Sequence, residues 1–174
     1  MTTRAEIQEH FSEFVMAHLD LLVRIARSLT GSADAADDLA QAALEKAYRS
    51  WPSVMRMAEP LAYVRRILVN QAYDSWRRKE RFRRIFGARA EGEDPPAPAR
   101  WGYSEATVDS LSRIDTLMAP LTDKERAVVS LRFLVGLTEA ETAHELGIAV
   151  GTVKSTAFRA LKRMRVAEHQ RSGV

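Results

Sequence analysis

The sequence predicts an all-α protein: two small helical domains joined by a flexible linker, the C-terminal one a helix-turn-helix. Apolar residues recur at intervals of three and four, the period of a helix with one buried face. Val, Ile and Thr never alternate with polar residues over the length of a strand. The stretch 87–110 lacks this periodicity and holds three of the six prolines. We therefore expect domains over residues 1–86 and 111–174, with 87–110 as a linker.

The composition excludes several classes of protein. Of the 174 residues, 46 % are hydrophobic and 28 % charged, which is enough apolar material for a packed core. The absence of cysteine excludes a disulfide framework and a thiolate-bound zinc site. No apolar stretch approaches the roughly 20 residues that span a bilayer, and the acidic N-terminus is unlike a signal peptide. We therefore expect a cytoplasmic protein with no membrane insertion.

The charges are unevenly distributed along the chain. Residues 1–86 hold 14 basic and 11 acidic residues and residues 111–174 hold 10 and 7, so each domain has a net charge of +3. The linker holds 2 basic and 5 acidic residues, a net charge of −3. Two basic domains on an acidic connector favour a nucleic acid as partner over a small substrate.

The N-terminal domain is predicted to contain three main helices. An apolar stripe defines the first helix, and Gly31 ends it. Ser32 or Asp34 can cap the second helix, which we expect Pro52 to end. Pro60 fits the first turn of the third helix, which continues into a run of basic residues.

The C-terminal domain carries the pattern of a helix-turn-helix. Thr122 to Glu125 and Thr138 to Glu141 are capping boxes, each of which opens a helix. Gly147 supplies a tight turn, and a last helix is predicted from about residue 150 to 165. The stripe expected to be buried in this last helix is Val153, Ala157, Leu161 and Met164.

The last helix has a polar face suited to DNA. Arg159 and Lys162 lie where they can reach base edges or phosphates in the major groove. Phe158 lies beside the buried stripe, where a core role is slightly favoured over contact with a thymine methyl group. The alternative for the whole motif is a helical hairpin with a solvated basic face. Three side chains in the first turn favour phosphate: Thr152, Lys154 and Ser155.

A second basic surface is predicted at the end of the third helix. Residues 76–84 hold six basic residues and one acid, which fits phosphate contact. Tyr73 and Trp76 can stack on unpaired bases, although for Trp76 a place in the core is the favoured alternative. The candidate phosphate ligands that follow Trp76 are Arg77, Arg78 and Lys79.

Asp34, Asp37 and Asp38 share one face of the second helix. Three interpretations remain open from the residues alone: a metal or acid–base cluster, a protein-docking face, and carboxylates that complement the helix dipole. The chain has no Gly-rich phosphate loop, no His-Glu-x-x-His motif and no nucleophile elbow. We therefore expect no catalytic residue, no metal, no cofactor and no enzyme activity.

Together these motifs resemble a known family, the extracytoplasmic-function sigma factors of bacterial RNA polymerase, over about 130 of the 174 residues. The segments similar to the second sigma domain are Asp37-Asp38-Leu-Ala-Gln41 and Pro60 to Arg78. The segments similar to the fourth sigma domain are Leu121 to Arg126, Gly136 to Ala143, Gly151 to Ser155 and Arg159-Ala-Leu161.

The resemblance implies a transcription initiation factor that binds core RNA polymerase and promoter DNA and helps to open the duplex. It places residues 1–86 at the polymerase and the −10 element, and residues 111–174 at the −35 element. An anti-sigma factor is a candidate further partner. The residues that would dock on the clamp helices of the largest polymerase subunit are Asp37, Asp38, Leu39 and Gln41.

The resemblance also implies DNA contacts. The loop 53–59, with Arg56 as its only cation, would capture a flipped base of the melted element. The residues that would meet the non-template strand are Asn70, Tyr73, Asp74, Arg77 and Arg78. Those that would read the −35 duplex are Thr152, Lys154, Ser155 and Arg159.

Two residues depart from the family pattern. Thr156 stands where many members have Arg, so the base preference cannot be transferred. Thr142 replaces the usual Ile or Val, which is expected to weaken the crossing of two helices.

Two other functions fit parts of the sequence. A helix-turn-helix regulator that binds duplex DNA as a dimer needs only the C-terminal motif. A metal-dependent nucleic-acid hydrolase would use Asp34, Asp37 and Asp38.

Overall fold

The computed structural model describes residues 3–86 and 102–173, in which every regular element is helical, so the all-α prediction is confirmed. No helix in these ranges is both long and apolar enough to cross a membrane. The elements are α1 (Arg4–Thr30), α2 (Ala33–Arg49), α3 (Trp51–Val54), α4 (Pro60–Phe86), α5 (Glu105–Met118), α6 (Asp123–Val129), a π-helical turn (Ser130–Leu134), α7 (Glu139–Leu146) and α8 (Val150–Ser172).

Capping interactions define both ends of helix α1. The Thr3 side chain accepts a hydrogen bond from the Glu6 amide, and Glu6 bonds back to the Thr3 amide at 2.6 Å. Gly31 ends the helix with φ of +68°, a left-handed conformation that glycine adopts without steric cost.

Helix α2 starts at the cap expected from the sequence and ends slightly earlier. The Ser32 side chain accepts a hydrogen bond from the Ala35 amide. The prediction that Pro52 ends α2 is wrong, because α2 finishes at Arg49 and Pro52 lies in the first turn of α3. Proline is tolerated there since first-turn amides have no partner within the helix.

Trp51 is the centre of the N-terminal core. Its side chain is fully buried, and the rings of Phe14 and Phe11 lie 4.8 and 5.0 Å from it between centroids. Val64 and Leu68 of α4 are also fully buried in this core. The aromatic contacts therefore join α3 to α1, and the aliphatic side chains of α4 complete the same core.

The C-terminal module contains the expected helix-turn-helix. Both predicted capping boxes are present, at Thr122 before α6 and at Thr138 before α7. Gly147, with φ of +63°, makes the turn between α7 and α8. The π-helical turn joins the end of α6 to the segment before α7.

Helix α8 differs from its prediction in length and in its buried face. It continues to Ser172 rather than ending near residue 165. Its buried residues are Val153, Thr156 and Ala160, whereas Leu161 is 37 % exposed. A single helix buries one stripe only, and the short α6 and α7 cover the 153–156–160 side.

The two modules pack against one another along α1, which contacts α5, α6 and the π-helical turn. Leu111, Val128 and Leu131 belong to the same buried cluster as Leu22 and Ile25 of α1.

The linker boundary also differs from the prediction. Residues 105–110 are helical rather than linker, because the Ser104 side chain caps α5 by accepting a hydrogen bond from the Thr107 amide at 3.3 Å. Most of the predicted linker lies outside the described residues.

We expect Thr142→Val to stabilise the fold. Thr142 is fully buried, and its hydroxyl has no hydrogen-bond partner among the described residues. Valine keeps the shape and removes an unpaired buried polar group, so the free energy of unfolding should rise by about 1–2 kcal/mol. Urea denaturation measures this change in the free energy of unfolding.

The matched control for this change is Thr116→Val. Thr116 is exposed and its hydroxyl donates to the Ser112 carbonyl at 2.9 Å, so the free energy of unfolding should change by less than about 0.5 kcal/mol. A loss of stability in Thr142→Val would mean that water satisfies the Thr142 hydroxyl.

Candidate nucleic-acid and protein interfaces

Helix α8 presents one continuous polar face. Helices α1, α2, α5, α6 and α7 are capped by a Ser or Thr side chain, whereas α8 follows Ala149 and has no such cap. No capping side chain therefore accepts a hydrogen bond from the first backbone N–H groups of α8. A phosphate group is well suited to accept these bonds instead. Thr152 is partly exposed in this first turn, and the fully exposed members of the face are Lys154, Ser155, Phe158, Arg159 and Lys162.

Local bonds orient the basic side chains of this face. The Arg159 guanidinium donates to the Ser155 carbonyl and to the Thr156 hydroxyl, both at 3.3 Å. Lys154 lies 3.6 Å from the Glu139 carboxylate, an exposed ion pair that a phosphate can displace at little cost.

Two neighbouring residues of α8 differ sharply in their exposure. Phe158 is 72 % exposed, so the core role slightly favoured from sequence is wrong. Thr156 is 1 % exposed and packs inside the module, so this position does not point outward.

The C-terminal half of α4 forms a second surface, a groove of about 750 Å³. The rings of Tyr73 and Trp76 meet edge to face at 5.2 Å, and the Arg77 guanidinium lies 5.3 Å from the centre of the Tyr73 ring. Trp76 is only partly buried and lines this groove, so its expected place in the core is wrong. The groove is lined by Tyr73, Asp74, Trp76, Arg77, Arg78, Glu80, Arg81 and Arg84.

Aromatic faces among guanidinium groups can hold single-stranded nucleic acid. Asn70 is exposed one turn before the groove, and Lys79 is exposed beside it. Arg56 is exposed in the loop after α3, and its Nε donates to the Pro52 carbonyl at 2.8 Å. This bond orients the guanidinium group of an exposed side chain.

The acidic residues of α2 differ in their exposure to solvent. Asp37 is 6 % exposed, whereas Asp38 and Gln41 are exposed and Leu39 is partly buried. The Gln41 amide donates to the Glu45 carboxylate at 3.0 Å. Within residues 3–86 and 102–173, no three His, Cys, Asp or Glu side chains are grouped so that they could hold a metal ion, and this includes Asp34, Asp37 and Asp38.

Sequence reasoning missed a polar cluster between the modules. The Tyr103 hydroxyl donates to Asp37 at 2.7 Å, and Arg27 forms a bidentate pair with Asp115. Burial, followed by the bond to Asp37, raises the pKa of Tyr103, and the bond that Arg27 donates to Asp115 raises the pKa of Arg27. Tyr103 was assigned to the linker, and only its aromatic ring beside a proline-rich segment could have drawn attention to it.

Comparison with known proteins gives matches over both modules. The family model of sigma-70 region 2 matches residues 14–82, and that of sigma-70 region 4 matches residues 111–164. The RNA polymerase sigma-E factor of Streptomyces coelicolor is 35 % identical over 157 residues, which are 89 % of this chain and 84 % of that protein.

Two further matches agree. The ECF RNA polymerase sigma factor SigL of Mycobacterium tuberculosis is 33 % identical over 150 residues, covering 86 % of this chain and 83 % of that protein. The sigma factor RpoE in complex with the anti-sigma factor NepR, from Bartonella quintana, superposes with a TM-score of 0.65 at 26 % identity, covering 91 % of this chain and 96 % of that one.

Proposed function

The chain belongs to the extracytoplasmic-function sigma factors of RNA polymerase, and we propose that it binds the core enzyme, recognises the −35 and −10 promoter elements and promotes melting of the promoter DNA for transcription initiation. The observation that carries this function is the presence of two different nucleic-acid surfaces in one chain, in the order of the two sigma regions. One is a helix-turn-helix face and the other is an aromatic and basic groove.

The face of α8 is assigned to duplex DNA of the −35 element. The uncapped start of α8 and the hydroxyls of Thr152 and Ser155 suit phosphates, which position the helix. Arg159, held by two bonds to its own helix, is placed to read a base edge. Phe158 is exposed beside it and suits the methyl group of a thymine.

The α4 groove and the Arg56 loop are assigned to the −10 element in its open form. Unstacking a base costs a few kcal/mol. Stacking on Tyr73 or Trp76 contributes about 1–3 kcal/mol of binding free energy for each base. Since these contacts form only with separated strands, they shift the equilibrium towards melted DNA.

The exposed end of α2 is assigned to the polymerase. Asp38 and Gln41 are exposed and Leu39 partly so, a small mixed surface suited to a protein partner. In this role the chain performs no bond chemistry, needs no cofactor and acts in the cytoplasm. A helix-turn-helix regulator acting alone would have no use for this surface or for the groove.

The decisive experiment is run-off transcription with purified core polymerase and sequencing of the start sites. A sigma factor directs initiation from a defined set of promoters and does so only together with the core enzyme. A regulator that acts alone would bind its duplex without polymerase and would start no transcript.

We expect Asp38→Ala to weaken association with core polymerase by about tenfold, which is ~1.4 kcal/mol, because it removes an exposed charge from the docking surface. Fluorescence anisotropy of labelled protein titrated with core enzyme measures the change. Glu13→Ala, an equally exposed acid on α1, is the matched control and should bind like the wild type. Equal affinities for both variants would remove Asp38 from the interface.

We expect Arg159→Ala to reduce discrimination between −35 sequences by about 1–3 kcal/mol. Binding of holoenzyme to a set of single-base variants of the promoter measures this loss. Arg165→Ala, an exposed cation further along α8, should leave discrimination intact. A uniform loss on every sequence in Arg159→Ala would identify a phosphate contact instead.

We expect Lys154→Ala to lower the slope of log K against log salt concentration by about one unit, because one phosphate contact is lost. The measurement is promoter affinity of the holoenzyme at several salt concentrations. Lys124→Ala changes the charge equally outside α8 and should keep the wild-type slope.

A further inference from the structure

We propose that Thr156 is a positioning residue for promoter specificity: its buried hydroxyl holds the Arg159 guanidinium in the orientation that reads a base of the −35 duplex. The inference rests on the proposed function, because it names the residue that sets the base preference of the α8 face. Thr156 is 1 % exposed, so it is not itself accessible to DNA and acts through Arg159.

The guanidinium of Arg159 is attached to its own helix at two points. Its Nε donates to the Ser155 carbonyl and a terminal nitrogen donates to the Thr156 hydroxyl, each at 3.3 Å. One bond would leave the group free to rotate about that bond, whereas two bonds to separate acceptors define the plane of the guanidinium. Since side chains of a helix lean towards its N-terminus, this plane lies over the first turns of α8, the part assigned to DNA.

The Thr156 hydroxyl is a fixed acceptor. Its side chain lies in the interior of the C-terminal module, where close packing restricts its movement. Threonine is also branched at Cβ, which limits rotation about χ1 in a helix. Arg159 is exposed, so the bond ties a side chain with many rotamers to one that is held by the core.

The two anchoring oxygens are neutral, which leaves the positive charge of Arg159 available to DNA. Two other cations of α8 are paired with carboxylates: Lys154 lies 3.6 Å from Glu139, and Arg163 lies 3.3 Å from Glu125. In the part of the chain that the structure describes, Arg159 bonds only neutral oxygens. It is therefore oriented without a competing negative charge beside it.

The donors that remain on Arg159 match a guanine. A guanidinium has five N–H groups, and the bonds to Ser155 and Thr156 use one on Nε and one on a terminal nitrogen. Of the three that remain, two lie side by side at the free end of the group. Guanine presents two neighbouring acceptors, N7 and O6, in the major groove, whereas adenine presents one acceptor and one donor. A guanidinium with a defined plane distinguishes these two edges.

The test compares side chains with and without a hydroxyl at position 156. Thr156→Val keeps the shape of the side chain and removes the acceptor. We expect the holoenzyme to lose about fivefold in preference for the promoter G·C pair at which Arg159→Ala loses discrimination, because the guanidinium is no longer held before binding. The slope of log K against log salt concentration should keep its wild-type value, since no phosphate contact is lost.

Thr142→Val is the matched control. Thr142 is a second fully buried threonine of the helix-turn-helix, and its hydroxyl has no hydrogen-bond partner among the described residues. This change alters stability but should leave the base preference at its wild-type value. An equal loss of preference in both valine variants would assign the effect to packing of the motif and would overturn the proposal.

A double-mutant cycle tests whether Thr156 acts through Arg159. In the Arg159→Ala background, Thr156→Val should leave the base preference unaltered, because no guanidinium remains to be positioned. A further loss in the double variant would overturn the proposal, as would an unchanged preference in Thr156→Val alone.

A second pair of variants decides the matter if valine disturbs the motif. Thr156→Ser and Thr156→Ala both remove the methyl group, and they differ from each other by the hydroxyl alone. With both variants shown to be folded by circular dichroism, serine should retain the preference and alanine should lose about fivefold. Equal preferences for the two would contradict a role for the hydroxyl.

The mobility of the Arg159 guanidinium tests the bond without polymerase or promoter. The NMR order parameter of its Nε–H bond in the free protein should fall in Thr156→Val and stay unchanged in Thr142→Val. No fall in Thr156→Val would overturn the positioning role. A wild-type chain that starts no transcript with core polymerase would refute the proposed function, while this order parameter would still report on Arg159.

Discussion

Both modules pack against one helix, α1, and most of the structure depends on this constraint. The C-terminal half of α1 is buried on nearly all sides, with Leu22, Ile25 and Ala26 fully enclosed. One side meets α2 and α4 of its own module, and the other meets α5, α6 and the π-helical turn. A helix surrounded in this way tolerates only small residues where a second helix crosses closely, which explains Ser28 and Gly31 at its end.

The two surfaces that we propose for DNA binding lie away from this shared helix. The α8 face and the α4 groove are built on single long helices whose other sides pack into a core, so the basic side chains are held on rigid supports. Residues 3–86 carry a net charge of +3, whereas residues 102–173, with 10 basic and 9 acidic residues, carry +1, so repulsion between the two modules is slight. Apolar contact and the Arg27–Asp115 pair hold the two modules together.

Local signals in the sequence were sufficient for the helices and their ends. Thr122, Thr138 and Gly147 act through bonds within a few residues, so their roles follow from spacing alone. Predictions that depended on which side of a helix is covered were less successful. Phe158 and Leu161 are exposed although their apolar character favoured burial, because α6 and α7 reach only one side of α8. Trp76 lines a groove together with the charged residues of α4 and does not enter the core.

The sequence by itself determined the helical class, the helix-turn-helix, the two basic surfaces and the family to which they point. These features depend on periodicity, capping chemistry and charge, which are properties of neighbouring residues. Only the tertiary structure decided that the two modules share α1 and that Tyr103 binds Asp37, 66 positions away. Contacts between residues so far apart in the sequence produce no periodic pattern, because they form when two already folded surfaces meet.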